Sequence, residues 1–316
     1  MMNKLKRIGT LLTNRNERVI FLANHGFYDR MDDASYLKML FRSYIGYDLN
    51  LSDPRSFNEK LQWLKLNDHR PEYTVYADKY MVRPYIEKTI GGEYLVPLLG
   101  VWDTAEEIDF DRLPDRFALK CNHDSGRGVY LCRDKSKLDE DAVRKLFRQS
   151  LQRNYYLRGR EWPYKNIKPK IICETLLGDD GGQSDSAFDL MDYKIMCFDG
   201  EAKCSFVCSD RYSDDGLKVT FFDRDWNVMP FIRHYPNSSR PIPRPRLYEK
   251  MLELSETLSK GMPFARIDWY EVNGKLYFGE ITLYPGSGFE EFTPVSADYE
   301  LGSWITLPSP THESPR

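Results

Sequence analysis

The sequence predicts an α+β protein. Three observations carry this: apolar residues recur at three- and four-residue intervals from Leu5 to about Leu66, short strand-like runs follow Gly91-Gly92, and helical stretches fill the gaps. With 316 residues, 41% hydrophobic and 29% charged, the chain suffices for one large body of two or three lobes.

The first helical signals are Tyr36-Leu37-Lys38-Met39-Leu40-Phe41 and Phe57 to Leu64. Ser56 and Glu59 read as a capping box, a hydroxyl at the helix start and a carboxylate three residues on that returns the bond. A further helix is expected from Asp78 through Glu87, ended by Gly91-Gly92. Strands are expected at 116–120, 128–131, 170–174, 193–198, 202–209, 217–222, 266–270 and 276–283, with helices at 139–154 and 245–260. Residues 178–185 read as a flexible turn cluster, and the tail after Pro308 as disordered. There is no repeat, heptad run or long linker.

Charge narrows the function. Lys plus Arg number 45 against 48 Asp plus Glu, so no basic excess is available to neutralise nucleic-acid phosphates, while a local basic pocket for a small anion stays open. No uncharged apolar stretch is long enough for a membrane span or a signal-peptide core, so the sequence is read as that of a soluble cytoplasmic protein. The six cysteines form no CxxC pair; Cys204 and Cys208 would share a strand face but could meet a metal only with ligands from elsewhere, and buried reduced thiols are the plainer reading.

Two segments carry chemistry. In Phe117 to Val129 a strand delivers Lys120, a short loop with Ser125, Gly126 and Gly128 follows, and a second strand begins. Such a loop can lay backbone N–H groups over phosphate oxygens while the lysine supplies charge, although a plain hairpin with a basic strand end has the same pattern. It is not a Walker A loop, which needs GxxxxGK[ST] before a helix. In Ala265 to Thr282, alternation puts Arg266, Asp268 and Tyr270 on one strand face and Phe278, Glu280 and Thr282 on one face of the next. A two-residue Asn273-Gly274 turn pairs Val272 with Lys275 and sends Asp268 and Glu280 to opposite faces. A three-residue loop with a bulge at Gly274 brings both carboxylates and Arg266 together. Converging carboxylates with a neighbouring hydroxyl are oxygen ligands of the kind magnesium takes when nucleotide phosphates complete its shell; a solvated acidic hairpin is the alternative. Lesser signals are Glu174, ending a buried strand and able to accept from an adenine amino group, and Asp192 with Lys194, an acid for a ribose and a lysine for phosphate.

Taken in order, these pieces resemble the ATP-grasp superfamily, and in detail its TupA-like branch, associated with teichuronopeptide and other surface-polysaccharide biosynthesis. The resemblance rests on Ser56 to Trp63, Asp78-Lys79-Tyr80 with Arg83, Ala118 to Gly126, Asp192-Tyr193-Lys194 and Gly279 to Phe289, and covers about Asp53 to Phe292. It implies a nucleotide held between two α+β subdomains behind an amino-terminal helical region. The expected divisions are 1–77 for the helices, 78–191 for the lid with its glycine loop, 192–308 for the metal-bearing subdomain and 309–316 for the tail.

By the same resemblance Arg83 and Lys120 contact ATP phosphates, Ser125 to Gly128 form the mobile loop over them, and Glu174 with the backbone at Leu176 binds adenine. Asp192 meets the ribose, and Lys194 reaches phosphate. Asp268 and Glu280 hold magnesium, with Thr282 where many relatives place Asn as a further ligand. Arg266 stabilises the acyl-phosphate or tetrahedral species, so Lys120 and Arg266 are the catalytic cations. The implied chemistry is ligation: a carboxylate is activated as an acyl phosphate, an amine displaces phosphate, and ADP leaves. No Ser, Cys or His nucleophile is needed. Its substrates would be a small-molecule or glycan carboxylate, with a uronic acid favoured, and an amino acid or other amine as co-substrate; peripheral association with polysaccharide-assembly machinery is expected besides, and nucleic acid is not. The competing expectations are a sugar-nucleotide glycosyltransferase, for which Asp223-Arg224-Asp225 is a weak DxD that reads equally as a hairpin turn, and a non-catalytic nucleotide-binding scaffold.

Overall fold

The computed structural model describes residues 11, 13–126, 128–178, 190–210 and 216–309; the expected disordered tail beyond Ser309 and the 178–185 turn cluster beyond Gly178 lie outside these. The amino-terminal helices α1 (Arg15–Asn24) and α2 (Asp33–Ile45) start where side chains satisfy free backbone N–H groups: Asn14 accepts from Asn16 and Glu17, and Asp32 from Ser35. Gly46, at φ 94°, closes α2. These helices bury Ala23, Tyr36, Leu37, Leu40 and Phe41 in a cluster of their own that also takes in Phe289.

Helix α3 (Phe57–Asn67) carries the expected capping box, with the Glu59 amide donating to Ser56 Oγ (3.2 Å) and the Ser56 amide to Glu59 Oε2 (3.0 Å). Phe57 enters the largest core, with its ring 5.0 Å from that of Phe264 and 5.9 Å from that of Phe198. The helix expected from Asp78 begins instead at Val82: α4 (Glu72–Ala77) ends just before Asp78, whose carboxylate accepts from the Tyr80 and Met81 amides, and α5 runs Val82–Thr89. Asp78 forms an Asx turn because its side chain competes with the helix for those donors.

A four-stranded antiparallel sheet follows, built from β1 (Leu98–Trp102), β2 (Phe117–Cys121), β3 (Val129–Cys132) and β4 (Ile171–Thr175) in the order β1-β4-β2-β3. Strand β1 escapes sequence reading; it is short, follows Pro97, and is interrupted by Gly100, over which the Trp102 ring lies so closely that a Cβ would meet it at 2.4 Å. Helix α6 (Glu140–Leu151) covers one face of the sheet with Val143 and Phe147, against Phe117, Leu119, Ile171 and Cys173. The short α7 (Tyr156–Gly159) follows α6.

The second sheet has the order β10-β9-β5-β6-β7, all antiparallel, from β5 (Asp192–Phe198), β6 (Glu201–Ser209), β7 (Lys218–Asp223), β9 (Phe264–Val272) and β10 (Lys275–Thr282). Between them in sequence lie β8 (Ile232–Arg233), which pairs with β11 (Phe292–Thr293), and α8 (Tyr248–Ser259). Helix α8 lies in the core with the apolar alternate positions of β9, where the Trp269 indole donates to Ser255 Oγ at 2.8 Å. Helix α9 (Ser296–Ser303) packs on α3 through Gly302 and an Asp298–Asn58 contact. Five of the six cysteines are buried and Cys208 is half-buried, all as free thiols; no group of three or more His, Cys, Asp or Glu that could hold a metal occurs among the described residues. No helix among them is long and apolar enough to cross a membrane.

Candidate active site

Strand alternation sets the first half of the site. Phe117, Leu119 and Cys121 of β2, with Ile171 and Cys173 of β4, bury under α6, so Lys120 and Glu174 emerge on the opposite face. There Lys120 Nζ donates to Glu174 Oε2 (2.9 Å) and Arg83 Nη1 to Oε1 (2.9 Å), while Arg83 Nη2 donates to the Val96 carbonyl (2.8 Å). Two cations separated widely in sequence and expected at a nucleotide thus share the one carboxylate of Glu174. Leu176 is half-buried just beyond β4. Arg83 also lines a cavity of about 680 Å³ with Tyr80, Leu95, Pro97 and Lys275.

The loop from β2 to β3 is held from both sides. Lys79 Nζ donates to the Asp124 carbonyl (3.0 Å), the Ser125 amide to Asp124 Oδ1 (2.7 Å), and Arg153 lies 3.7 Å from the Asp124 carboxylate. Gly126, at φ 82°, has open space where a Cβ would stand, whereas one at Gly128 would meet Cys121 Sγ at 2.8 Å. Gly128 therefore serves the packing of the hairpin, and Gly126 the exposed bend.

The second half comes from β5, β9 and β10. The β9–β10 turn is the two-residue form: Val272 pairs with Lys275, and Asn273 and Gly274 sit at φ 52° and 71°. That turn alone would put Asp268 and Glu280 on opposite faces. The register instead shifts between Phe278, opposite Trp269, and Ile281, opposite Ile267, so a bulge at Gly279-Glu280 restores the parity inside the strand. Gly279 permits it, since a Cβ there would stand 3.1 Å from the Asp268 carbonyl.

The bulge brings the charges together. Arg266 Nη2 donates to Asp268 Oδ2 (2.6 Å) and Glu280 Oε1 (3.0 Å), with Nε to Asp268 Oδ1 (2.6 Å). Lys194 Nζ bridges Asp192 Oδ2 and Asp268 Oδ2, both at 2.5 Å, and Thr282 Oγ1 donates to Glu280 Oε1 (3.1 Å). Lys79 reaches Glu280 Oε2 at 3.2 Å, linking this cluster to the loop over Asp124. Sequence reasoning quoted Lys79 within a motif but gave it no role; its position directly after Asp78 in that motif was the available signal.

Burial alone would raise the Glu280 carboxyl, but Lys79, Arg266 and Lys194 together pull it far below its ordinary value. Burial raises the Asp268 carboxyl, opposed by Arg266 and Lys194. Burial would lower Lys194, and Asp192 and Asp268 overcome it, so its ammonium is held charged. Asp192 Oδ1 is buried without a hydrogen-bond partner. The donors fit a hard divalent cation: only oxygens are offered, and oxygens from two carboxylates lie within 3.0 Å of a single guanidinium nitrogen. With two acids available, the rest of a magnesium shell would have to come from phosphate or water.

Behind the turn after β10 lies a group that sequence reasoning passed over. Lys65, fully buried, donates to Gln62 Oε1 (3.0 Å), the Ser287 carbonyl (2.8 Å) and Ser287 Oγ (3.0 Å), near the buried Glu161. Burial pushes the Lys65 ammonium from its ordinary 10.5 down to about 7, with Glu161 pulling the other way. Between these values the unfolded chain binds more protons than the folded one, so stability rises with pH through that window. Lys65→Met is expected to flatten the rise by up to about 1.4 kcal/mol per pH unit. Denaturant titrations across the window read it, and parallel profiles for the two proteins would remove the assignment.

Paired sheets that present lysine, arginine and converging carboxylates to one another define a protein of the ATP-grasp fold. The TupA-like ATPgrasp family matches residues 59–306, and the chain belongs to that family. Among solved structures the chain is similar to a D-alanine–D-alanine ligase from Bacillus anthracis complexed with ATP, at 13% identity and a TM-score of 0.38, over 66% of this chain and 54% of that one. A D-alanine–D-alanine ligase from Helicobacter pylori matches at 13% identity and a TM-score of 0.41, over 81% and 68%. N5-carboxyaminoimidazole ribonucleotide synthetase from Thermus thermophilus matches at 14% and 0.36, over 66% and 45%. The chain thus spans little more than half the length of the first of these. No curated protein matches it.

Proposed function

We propose that this protein is an ATP-dependent, ADP-forming carboxylate–amine ligase that works in the cytoplasm through an acyl phosphate, joining an amino acid or amine to a uronic acid of a capsular or other surface-polysaccharide precursor. The observation that carries the ligase reading is the meeting of Asp268 and Glu280 on one nitrogen of Arg266, in a chain of this family. The polysaccharide acceptor rests on the likeness of the motif set to the TupA-like branch.

On this reading residues 78–191 form the lid and 192–308 the catalytic half. Arg83 and Lys120 bind phosphate, Glu174 and the backbone at Leu176 take the adenine, and Asp192 the ribose. Ser125 and Gly126 lie in the loop that excludes water, which a hydrolysable intermediate demands. Lys194 offers charge to phosphate, and Arg266 neutralises charge developing on the reacting acyl group. Asp268 and Glu280, with Thr282 beside them, would hold magnesium, whose contribution is to neutralise the phosphate oxygens. The DxD on which a glycosyltransferase would depend is absorbed in a tight turn: Asp223 accepts from the Asp225 and Asn227 amides, and Arg224 pairs with Glu256.

Calorimetric titration with a non-hydrolysable ATP analogue, with and without magnesium and beside UDP and UDP-sugars, tests the reading. Binding of the ATP analogue that is lost without magnesium is expected, as is a roughly tenfold to hundredfold weakening in Lys120→Ala. Binding of UDP-sugar alone would put the glycosyltransferase in its place, and an unchanged affinity in Lys120→Ala would move the phosphate site.

A further inference from the structure

We infer that the cavity of about 260 Å³ lined by α1, α2, the α7 segment and the turn after β10 is a site for a free α-amino acid, with its carboxylate at Arg158 and its ammonium at Glu161. This rests on the ligase reading for its place in the reaction and supplies the class of amine that the reaction takes.

The charges in the cavity carry the argument. Four titratable or charged side chains other than tyrosines line it: Arg158, Glu161, His234 and Glu290. Two are already matched, Glu290 by the buried Arg233 at 3.3 Å and His234 by Glu291 at 2.9 Å. Among the described residues Arg158 and Glu161 make no ion pair, with each other or with any other residue. Arg158 is exposed, and its guanidinium reaches only Asn24 Oδ1 at 3.5 Å. Glu161 is 4% exposed, and burial raises its carboxyl, opposed by Lys65 and by the Ser287 side chain. Lys65 acts on Glu161 without forming an ion pair with it, since its ammonium donates to Gln62 and Ser287. A buried carboxylate without a close cation is costly. A cavity that offers a guanidinium and a carboxyl, neither held in an ion pair, is complementary to a zwitterion and poorly matched to a simple amine or acid.

Size and position agree. The space lies below the roughly 300–1,000 Å³ of sites for larger ligands. Tyr44, stacked on Phe289 at 5.4 Å, forms an aromatic wall for a side chain. Glu161 and Ser287 line the cavity together, and Ser287 lies in the turn directly after β10, the strand that carries Glu280 and Thr282 of the proposed reacting centre. The backbone that carries the anchors is held in advance. The Tyr36 hydroxyl donates to the Arg158 carbonyl (3.0 Å), and the buried Arg160 donates to the carbonyls of Tyr28 (3.1 Å), Asp29 (3.0 Å) and Met31 (3.3 Å). Gly159 lets Ser287 approach, for a Cβ would stand 2.1 Å from its Oγ. The amino-terminal helices thereby acquire a task, building one wall of the site and pinning Arg158.

The test is calorimetry on the full chain with each of the twenty genetically encoded amino acids, with butylamine and butyrate as single-charge probes, in the presence and absence of the magnesium-bound ATP analogue. At least one amino acid is expected to bind at least about tenfold more tightly than either single-charge probe, with Arg158→Gln and Glu161→Gln each weakening it by roughly tenfold to a hundredfold. Arg158 is exposed, so its variant stays informative if the Glu161 variant fails to fold. No amino acid bound, a single-charge probe bound as tightly, or Arg158→Gln binding like the unaltered protein would overturn the inference. Nucleotide binding is read in the same titrations: its loss alone would fell the ligase reading and leave the amino-acid site standing, and the reverse pattern would fell only the site.

Discussion

Glu280→Gln is expected to lower magnesium-dependent nucleotide turnover by roughly a hundredfold to a thousandfold, and Asp268→Asn by at least as much. Each amide keeps the shape of its carboxylate but removes the negative charge that a hard cation requires. The two variants differ in what they leave behind. Glu280 is partly exposed, and losing its charge leaves Arg266 still bound through two nitrogens to Asp268. Asp268 is buried and serves both Arg266 and Lys194, so its substitution leaves Arg266 to Glu280 and Lys194 to Asp192 alone and costs about 1–3 kcal/mol of stability. Glu280→Gln is therefore the cleaner reading of the metal, and Asp268→Asn must be read beside a denaturation curve. Steady-state release of ADP measures the effect; near-normal turnover in both variants would dissolve the proposed metal site.

Gly302→Ala is expected to destabilise the protein by about 3 kcal/mol. A Cβ at Gly302 would stand 2.2 Å from the Arg55 carbonyl oxygen and 2.6 Å from the Phe57 amide nitrogen, and backbone cannot swing aside as a side-chain tip can. Helix α9 must then back away from the start of α3. That movement stretches the Asn58–Asp298 bonds (3.0 and 3.1 Å) and loosens Phe57, which anchors α3 against Phe198, Phe264 and Phe292. Denaturant unfolding measures it, and a loss below about 0.5 kcal/mol would mean that α9 has more freedom than its packing shows.

Much of the site was legible because it depends on short-range geometry. Alternation along a strand is enough to put Arg266 and Asp268 on one face, and hydroxyl–carboxylate spacing was enough to place the start of α3 at Ser56. The hairpin shows where such reasoning stops. Asn273-Gly274 supplied the turn, and the turn by itself separated Asp268 from Glu280; the bulge that reunites them has no local mark beyond Gly279, a residue that fits many strands. Strand β1 was missed because Pro97 and Gly100 weaken the strand signal, yet β4 provides its ladder partner.

The sequence by itself determined the α+β class, most strands and helices, and the residue types that carry the chemistry, because periodicity, capping and turn formation act over a few residues. Only the tertiary structure decided which charges meet. Arg83, Lys120 and Glu174 converge from α5, β2 and β4, Lys79 crosses to Glu280, and Arg158 with Glu161 is set against helices over a hundred residues earlier. Such meetings follow from how sheets and helices bury their apolar faces against one another, and that packing brings together residues whose spacing along the chain carries no trace of it.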